Sequence, residues 1–199
     1  MTKKRQLGPC VTFFPQPTTL GATVDAEGKA DLMTASWAGI VSKTPPTMAV
    51  SLHHNRLTYA NIRATGSFSV NLVPAHLAVQ ADYCGITSGR GADKVATTGL
   101  TLTPATKIEA PLLEESPLNV ECRFVREVEL GEYRLVLGEI VEIHALDAAF
   151  TKHPQGDARL FDPLVYLGGI REYWGLGEKV ADAYRDGKRL LESDPQSGL

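Results

Sequence analysis

Strict alternation of apolar and polar residues in two neighbouring segments constrains the fold of this chain most. In Thr47–Leu52 every second residue is a large apolar one, and in Ser67–Leu72 the same period recurs, with Phe, Val and Leu alternating with Ser and Asn. Successive side chains of a β-strand point to opposite faces of a sheet, so a period of two predicts strands that are buried on one face. Asp31–Val41 is also of strand length.

A turn and a short helix are predicted around these strands. The Pro45-Pro46 pair ends the first strand, because proline fixes its own φ and holds the residue before it extended. After Leu52 the chain leaves the second strand, Thr58 is a suitable N-cap, Tyr59 to Ala64 form one or two helical turns, and Gly66 ends them.

The flanking segments predict more strands, few helices and no repeating βαβ rhythm. A fold that is mainly β, with a closed or nearly closed antiparallel barrel of six or more strands, therefore fits better than a doubly wound sheet. The predicted strands are Leu20 to Val24, Lys29 onward after an Asp25–Gly28 turn, Leu118 towards Leu130, Tyr133 to His144 with a possible bulge at Gly138, and Leu164 to Leu167. The predicted helices are Pro74 to Cys84 and an amphipathic C-terminal helix over Glu178 to Leu191.

Composition narrows the class of protein. With 43% hydrophobic and 22% charged residues in 199, the chain reads as one ordinary globular domain, with or without a C-terminal extension. A net charge of −3, and no basic cluster larger than Lys3–Arg5, argue against nucleic-acid binding. No apolar run has the length of a membrane span or a signal peptide, so we expect a cytoplasmic protein.

Metal and disulfide sites are not indicated. Cys10, Cys84 and Cys122 are widely spaced and form no CxxC pair, so free thiols are expected. The adjacent His53 and His54 would point to opposite faces of a strand, which does not favour a shared metal ion.

Polar residues in the central segment are candidates for ligand binding. Thr34, Ser36, Ser51 and Asn71 are small hydrogen-bonding residues on the predicted strands, and a helix start with a basic residue follows the second strand. Such a set suits a ligand with a phosphate at one end and a flat polar ring at the other. The same pattern also fits ordinary residues on a solvated sheet face, and spacing leaves both interpretations open.

A glycine-containing loop, Thr87–Lys94, is a second candidate. It has neither P-loop nor Rossmann spacing. It is either a surface loop, with Asp93 solvated or paired to Arg90, or an arm that brings Lys94 or Arg90 to an anionic ligand.

The order of these parts resembles a known family. The segments TASWAGIVSKTPPTMAVSLHHNRLTYANIRATGSFSVNL, CGITSGRGADKV and PLVYLGG together resemble the flavin reductase-like family with the FMN-binding split barrel, and within it the flavoredoxin-like branch. The resemblance spans about Pro15 to Gly175. It implies a homodimer of six-stranded, Greek-key-like split barrels that bind FMN near the subunit interface and pass hydride or electrons between NAD(P)H and flavin.

The resemblance also implies FMN-binding positions. Thr34 to Trp37 would lie along the flavin and Ser51 and Leu52 near its ring, while Arg56 and Thr58 would meet the phosphate. Ser88 to Lys94 would form the loop that closes on the cofactor. At Asp31 and Tyr133 the chain departs from the related pattern, which has Asn and His. The full predicted set is Asp31, Thr34, Ala35, Ser36, Trp37, Ser51, Leu52, His53, Arg56, Thr58, Asn71, Leu72, Ser88, Gly89, Arg90, Lys94, Tyr133 and Tyr166.

The expected protein is an FMN-dependent oxidoreductase with NADH or NADPH as donor, with residues 1–175 as the flavin-binding domain and 176–199 as a helical extension. Hydride passes directly from nicotinamide to flavin, so no catalytic acid or base and no metal is expected. Reduced flavin carries negative charge, which backbone N–H groups or Lys94 would stabilise. Two alternatives remain: a flavodoxin-like electron carrier reduced by a partner protein, and a split barrel that has lost its flavin.

Overall fold

A computed structural model describes residues 2–11, 14–152 and 154–192 of the chain. The fold is mainly β, with 39% strand and 20% helix, as predicted. The sequence also predicts a short regular segment over Val11–Phe14 between prolines, and this segment lies partly outside the described residues, which leave out positions 12 and 13.

Twelve strands form three antiparallel sheets among the described residues. The main sheet has seven strands in the order β3-β2-β6-β9-β10-β5-β4, β1 pairs with β11 and β11 with β12, and β7 pairs with β8. In chain order the strands are β1 (Pro15–Pro17), β2 (Thr19–Val24), β3 (Ala30–Ala35), β4 (Ala38–Lys43), β5 (Pro46–His53), β6 (Ser67–Leu72), β7 (Leu102–Thr103), β8 (Leu112–Leu113), β9 (Leu118–Leu130), β10 (Tyr133–Ala145), β11 (Val165–Leu167) and β12 (Glu172–Trp174).

The two edge strands of the main sheet, β3 and β4, are consecutive in the chain. Only Ser36 and Trp37 separate them, so one bent segment, Ala30–Lys43, joins the two edges of the sheet. At the bend, the Ser51 N–H donates to the Trp37 carbonyl over 2.8 Å and so attaches β5 to it. Counted as one bent strand, this segment makes the sheet the six-stranded split barrel that the family resemblance implies.

Period-two burial explains why these segments are strands. Met48, Val50 and Leu52 on β5 and Phe68 and Val70 on β6 all contribute to one core inside the barrel. Burial of this apolar surface, at roughly 25 cal/mol per Å², is the main stabilising contribution. The predicted bulge is confirmed: the β9–β10 register shifts between Leu137 and Gly138.

A second core lies between the outer face of the barrel and a helix. Leu20 and Leu32, from β2 and β3, pack there with Ala81, Cys84 and Leu164. On β3, therefore, Leu32 faces this outer core while its neighbour Met33 faces the barrel interior. This packing fixes the helix against β3, where the candidate site begins.

The helices are short. Two 3₁₀ turns, Ala75–Leu77 and Asp147–Ala149, precede α2 and α4, and a third, Asp186–Lys188, precedes α5. The α-helices are α1 (Leu57–Thr65), α2 (Ala78–Ile86), α3 (Lys94–Thr98), α4 (Ala158–Phe161) and α5 (Arg189–Glu192).

Two helix predictions need correction in detail. The first helix ends as predicted at Gly66, whose φ is 71°, but it begins two residues early, with Arg56 rather than Thr58 as N-cap. The second helix is preceded by a 3₁₀ turn and continues through Gly85 to Ile86.

The predicted amphipathic helix over Glu178–Leu191 is wrong for most of its length. Residues 178–183 have no helical structure, and the only α-helix in this part of the described chain is α5. Val180 is 98% exposed and Tyr184 99% exposed, so no packing surface supports a helix there.

Within the described part of the chain, no helix is long and apolar enough to cross a bilayer.

Candidate functional site

The turn from β5 into α1 presents an uncapped helix N-terminus. Arg56 holds the N-cap position with extended backbone, and within the described structure no side chain caps the helix and no acidic residue lies in its first turn. The first backbone N–H groups of an α-helix have no partner inside the helix and carry partial positive charge. The start of α1 is therefore suited to an anion.

A buried ion pair lies beside this helix start. The Lys94 Nζ atom is 3.0 Å from Asp31 Oδ1, and the side chains are 2% and 6% exposed. Thr58, at the second position of α1, donates its hydroxyl to Asp31 Oδ2 at 3.4 Å. Asp31 thereby connects β3, the start of α1 and the start of α3.

The glycine-containing loop packs closely on this pair. A β-carbon at Gly89 would overlap the carboxylate of Asp31 and lie 2.9 Å from Leu57 Cδ2. Arg90 does not pair with Asp93. It donates from Nη1 to the carbonyl of Asn55 at 2.7 Å, while Asp93 caps α3 by accepting from the Ala96 N–H at 3.0 Å.

These elements enclose a polar cavity of about 430 Å³, here called the phosphate lobe. Its wall combines the uncapped helix start, the buried ion pair and the glycine-containing loop. The lining residues are Asp31, Met33, His53, Asn55, Arg56, Leu57, Thr58, Thr87, Ser88, Gly89, Lys94 and Tyr133.

A second cavity of about 470 Å³, here called the ring lobe, adjoins the first. The two lobes share Met33, His53, Arg56 and Tyr133, so they form one elongated cleft. The other residues of the ring lobe come from the barrel (Thr34, Ala35, Ser36, Trp37, Ser51 and Leu52) and from an outer wall (Asp82, Gly85, Ile86, Tyr166, Arg171 and Tyr173).

Aromatic residues line the centre of the cleft. The rings of Trp37 and Tyr133 have centroids 5.1 Å apart, and the ring of His53 lies edge-on to Tyr133 at 5.4 Å. Contacts of this kind orient large side chains with little conformational freedom. The ring lobe thus offers flat apolar surfaces together with the hydroxyls of Ser36 and Ser51.

The outer wall is attached to the barrel through α2. The hydroxyl of Thr34 donates to the carbonyl of Ala81, and Gly85 approaches so closely that a β-carbon there would lie 3.3 Å from the Thr34 β-carbon. Across the wall, the Tyr173 hydroxyl donates to Asp82 Oδ1 at 3.2 Å. Burial, and then the Asp82 carboxylate, raises the pKa of Tyr173 to about 12.

The structure brings all but three of the predicted site residues to the cleft. Arg90 lies beside it, in a smaller cavity that shares Asp31, Leu57, Gly89 and Lys94 with the phosphate lobe. Lys94 lines the phosphate lobe and not the ring lobe, so the expectation that it would stabilise negative charge on a ring is not supported.

Asn71 and Leu72, which the sequence also proposed for the site, line neither lobe of the cleft. The Asn71 amide donates to the Leu20 carbonyl at 2.8 Å, and its oxygen accepts from the Leu113 N–H and the Asn119 amide. Leu72 is half-buried beside β2, and its carbonyl accepts from Ser116. Residues 105–113 cover this face of β6, so its polar residues serve the packing of a loop.

Several lining residues were missed. Asp82, Gly85 and Ile86 share one face of α2, and Arg171 and Tyr173 lie on or beside β12. The i, i+4 spacing of Asp82 and Ile86 was visible, but which face of α2 meets the cleft depends on its docking to β3. Among the described residues, no group of three or more His, Cys, Asp or Glu side chains could hold a metal ion.

An antiparallel split barrel with an elongated cleft, polar at one end and aromatic at the other, defines a flavin-binding class of protein. Residues 11–175 match the family model described as flavin reductase like domain, and the chain belongs to this family. The sequence-based identification of the family is thus confirmed.

Solved structures of flavoredoxins are similar over nearly the whole chain. The flavoredoxin of Desulfovibrio vulgaris (Miyazaki F) is 32% identical with a TM-score of 0.87, and the comparison covers 94% of this chain and 100% of that one. The flavoredoxin of Methanosarcina acetivorans is 29% identical with a TM-score of 0.86, covering 95% and 100%.

A reductase is similar over a shorter range. The reductase component of 4-nitrophenol 4-monooxygenase/4-nitrocatechol 2-monooxygenase from Rhodococcus opacus is 30% identical over 102 residues, which cover 51% of each chain. The relatives thus include both flavoredoxins and a reductase component.

Proposed function

We propose that this protein binds FMN in the cleft and acts as an oxidoreductase that passes electrons from NADH or NADPH to an acceptor. The observation that carries the proposal is the continuity of the two lobes, one built for an anion and the other for an aromatic ring. When bound, FMN would supply the hydride and electron transfer, and the protein would supply binding and orientation.

The phosphate lobe fits a phosphate group. The open N–H groups of α1 and the guanidinium of Arg56 are donors, and Lys94 adds a buried cation whose charge Asp31 partly balances. Charge-assisted hydrogen bonds of this kind contribute about 1.5–3 kcal/mol each. These residues would hold the phosphate end of the cofactor.

The ring lobe fits a flat heteroaromatic ring. Trp37, Tyr133 and Tyr166 supply aromatic surface, and Ser36 and Ser51 supply hydrogen-bonding groups. The Ser51 N–H already donates to Trp37, so the Ser51 hydroxyl is the group of that residue left for a ligand. These side chains would exclude water from one face of the ring and fix its direction in the cleft.

An electron carrier is the second candidate function. The similarity to two flavoredoxins over nearly the whole chain favours a protein that keeps its FMN and receives electrons from a partner protein. Both candidates need the same cleft, and they differ in whether a nicotinamide can reduce the bound flavin directly.

We further propose that two copies of the chain associate through the β4 edge. Ile40 and Val41 on β4 are 68% and 57% exposed, and Val125 on β9 is 58% exposed. A groove of about 500 Å³ lies along the neighbouring strands β4, β5, β10 and β9, and Val41 and Val125 are among the residues that line it. A second copy seated here would cover exposed apolar surface next to the Trp37 bend, and sedimentation equilibrium of the purified protein would test it.

Binding is tested by fluorescence titration of FMN with two matched variants. Arg56→Ala removes a cation from the start of α1, and Arg63→Ala removes one from the last turn of the same helix, outside the cleft. We expect Arg56→Ala to weaken FMN binding about tenfold or more, and Arg63→Ala to leave it nearly unchanged. Equal affinities would refute this placement of the phosphate, and a wild-type chain that binds no FMN would favour the flavin-free alternative.

Electron donation is tested separately by anaerobic stopped-flow mixing of the FMN-loaded protein with NADH or NADPH. Rapid loss of flavin absorbance supports the oxidoreductase. If the flavin is bleached only after a partner reductase is added, the protein is a carrier.

A further inference from the structure

Arg171 occupies an unusual backbone position at the outer wall of the ring lobe. It is the last residue of the turn Gly168–Arg171 between β11 and β12, and its N–H donates to the Leu167 carbonyl at 2.9 Å. Its φ is 57°, in the left-handed region that glycine or asparagine ordinarily occupies in such turns. The turn has two glycines, yet the left-handed position holds arginine. An arginine side chain at an unfavourable backbone conformation motivates the hypothesis that the side chain has a role.

The guanidinium of Arg171 is a cation without a carboxylate partner among the residues described. Asp82, a carboxylate on the same wall, accepts a hydrogen bond from Tyr173 instead. Arg171 lines the ring lobe only. Of the two cations proposed for the phosphate, Lys94 lines only the phosphate lobe and Arg56 lines both lobes, so Arg171 is a further cation that the phosphate does not require.

From this geometry we propose that Arg171 is a specificity-determining residue that binds an anionic group of the second substrate, the electron donor or acceptor that meets the ring in the ring lobe. The inference rests on the proposed function, because it needs a flavin in the cleft. Two sources share the chemistry: the pyrophosphate of a nicotinamide dinucleotide, and the negative charge of an anionic acceptor. In either case Arg171 selects anionic over neutral redox partners.

The position of the turn supports this role. β12 pairs with β11, and β11 with the short β1, so the turn projects from a small sheet outside the barrel. Tyr173 anchors this sheet to α2 through Asp82. Arg171 is exposed and is thus held on the outer wall of the ring lobe, where a substrate entering from solvent can contact it.

The test compares three variants on FMN-loaded protein. Arg171→Gln removes the charge and keeps the length of the side chain, Arg171→Lys keeps the charge, and Arg171→Gly removes the charge while relieving the left-handed backbone. FMN affinity and thermal unfolding temperature are measured first. Both are expected to stay near wild type in Arg171→Gln and Arg171→Lys, and the unfolding temperature to stay the same or rise in Arg171→Gly.

Each half-reaction is then followed with one anionic and one neutral probe. The donors are NADH and the neutral N-benzyl-1,4-dihydronicotinamide; the acceptors, for protein reduced with dithionite, are ferricyanide and the neutral 1,4-benzoquinone. Binding of NAD⁺ is measured by calorimetry as a readout without turnover. We expect Arg171→Gln and Arg171→Gly to weaken the binding of one anionic probe about tenfold, with little change in the binding of its neutral counterpart. The effect of Arg171→Lys should be intermediate.

The outcomes separate the sources and the hypotheses. An effect on NADH and NAD⁺ assigns the anion to the donor, and an effect on ferricyanide assigns it to the acceptor. If the variants lose affinity equally for anionic and neutral probes, or lose no affinity for either anionic probe, the inference is overturned while the proposed function stands. A wild-type protein that binds no FMN overturns the proposed function and the inference with it.

Discussion

Lys94 and Asp31 form an ion pair with an Nζ to Oδ1 distance of 3.0 Å, and both side chains are almost wholly buried. Removing two charges from water is costly, and their attraction offsets the cost only while both are present. Asp31 also accepts from Thr58. The pair therefore has a structural role in joining three elements and, in our proposal, a binding role towards phosphate.

Replacement of Lys94 separates these two roles. Lys94→Met leaves the Asp31 carboxylate buried and unpaired, so we expect the free energy of unfolding in urea to fall by about 3–5 kcal/mol. The double variant Asp31→Asn/Lys94→Met removes both charges and should regain much of that stability. Both proteins lack the cation, so both should bind FMN about tenfold more weakly.

The double variant decides the assignment of Lys94. If it folds stably and binds FMN as tightly as wild type in a fluorescence titration, Lys94 only stabilises the wall of the cleft. Recovered stability with weak binding supports the phosphate contact.

Gly89 and Gly91 provide a matched pair in the same loop. A β-carbon at Gly89 would lie 2.7 Å from Asp31 Cγ and 2.9 Å from Leu57 Cδ2, whereas one at Gly91 has no described atom within 4 Å. Neither glycine has left-handed backbone. We expect Gly89→Ala to displace Asp31, lower the unfolding temperature and weaken FMN binding at least about tenfold.

Gly91→Ala should behave oppositely, with unchanged FMN affinity and a gain of up to about 1 kcal/mol from the less flexible unfolded chain. The change in stability is measured by thermal unfolding and the FMN affinity by titration, with the two variants compared side by side. Equal behaviour of the two alanine variants would mean that the close packing of Gly89 on Asp31 has no functional consequence.

The sequence predicted strands well where one face had to be buried. Met48, Val50 and Leu52 alternate because the barrel core requires it, and no distant contact can change that period. The polar face of β6 was ambiguous because its pattern does not depend on what covers it. Ser69 and Asn71 have the same pattern whether they face a ligand or, as here, a covering loop. Polarity along a strand does not reveal what lies over it.

The prediction of the C-terminal helix was wrong for a related physical reason. Val180 and Tyr184 are spaced four residues apart, which suits one helix face, yet both are almost fully exposed. A short helix depends on packing of its apolar face, and periodicity alone does not supply a surface to pack against. The outer wall of the ring lobe was missed because Asp82 and Arg171 come to the same cavity only after α2 docks on β3 and the β11–β12 sheet attaches to α2 through Tyr173.

Tyr173 gives a prediction at alkaline pH. Because burial and then the Asp82 carboxylate raise the pKa of Tyr173 to about 12, its neutral form is favoured in the folded protein. This stabilisation is fully present below the unfolded pKa of about 10 and is lost as the pH rises towards 12. An absorbance titration of phenolate should show one tyrosine ionising near pH 12, absent in Tyr173→Phe and retained in Tyr59→Phe.

Glu121 gives the corresponding prediction in acid. It is fully buried, and it accepts from the Thr106 and Lys107 N–H groups at 2.8 and 2.7 Å and lies 2.7 Å from His144 Nε2. Burial alone would raise the pKa of Glu121, but these hydrogen bonds together lower it below its usual value. The carboxylate thereby anchors the loop of residues 105–113 that covers Asn71.

Because the folded pKa is lowered, the stability contributed by Glu121 is present above the unfolded pKa of about 4.3 and is lost as the pH falls through the folded value. Glu121→Gln should cost about 1–3 kcal/mol at neutral pH and flatten the decline in stability below about pH 4.3, measured by urea unfolding across the acid range. Glu129→Gln is the control, since its carboxylate is 73% exposed and pairs with Arg134 at the surface. It should cost under about 1 kcal/mol. An acid profile of Glu121→Gln as steep as that of wild type would show that other carboxylates govern the acid unfolding.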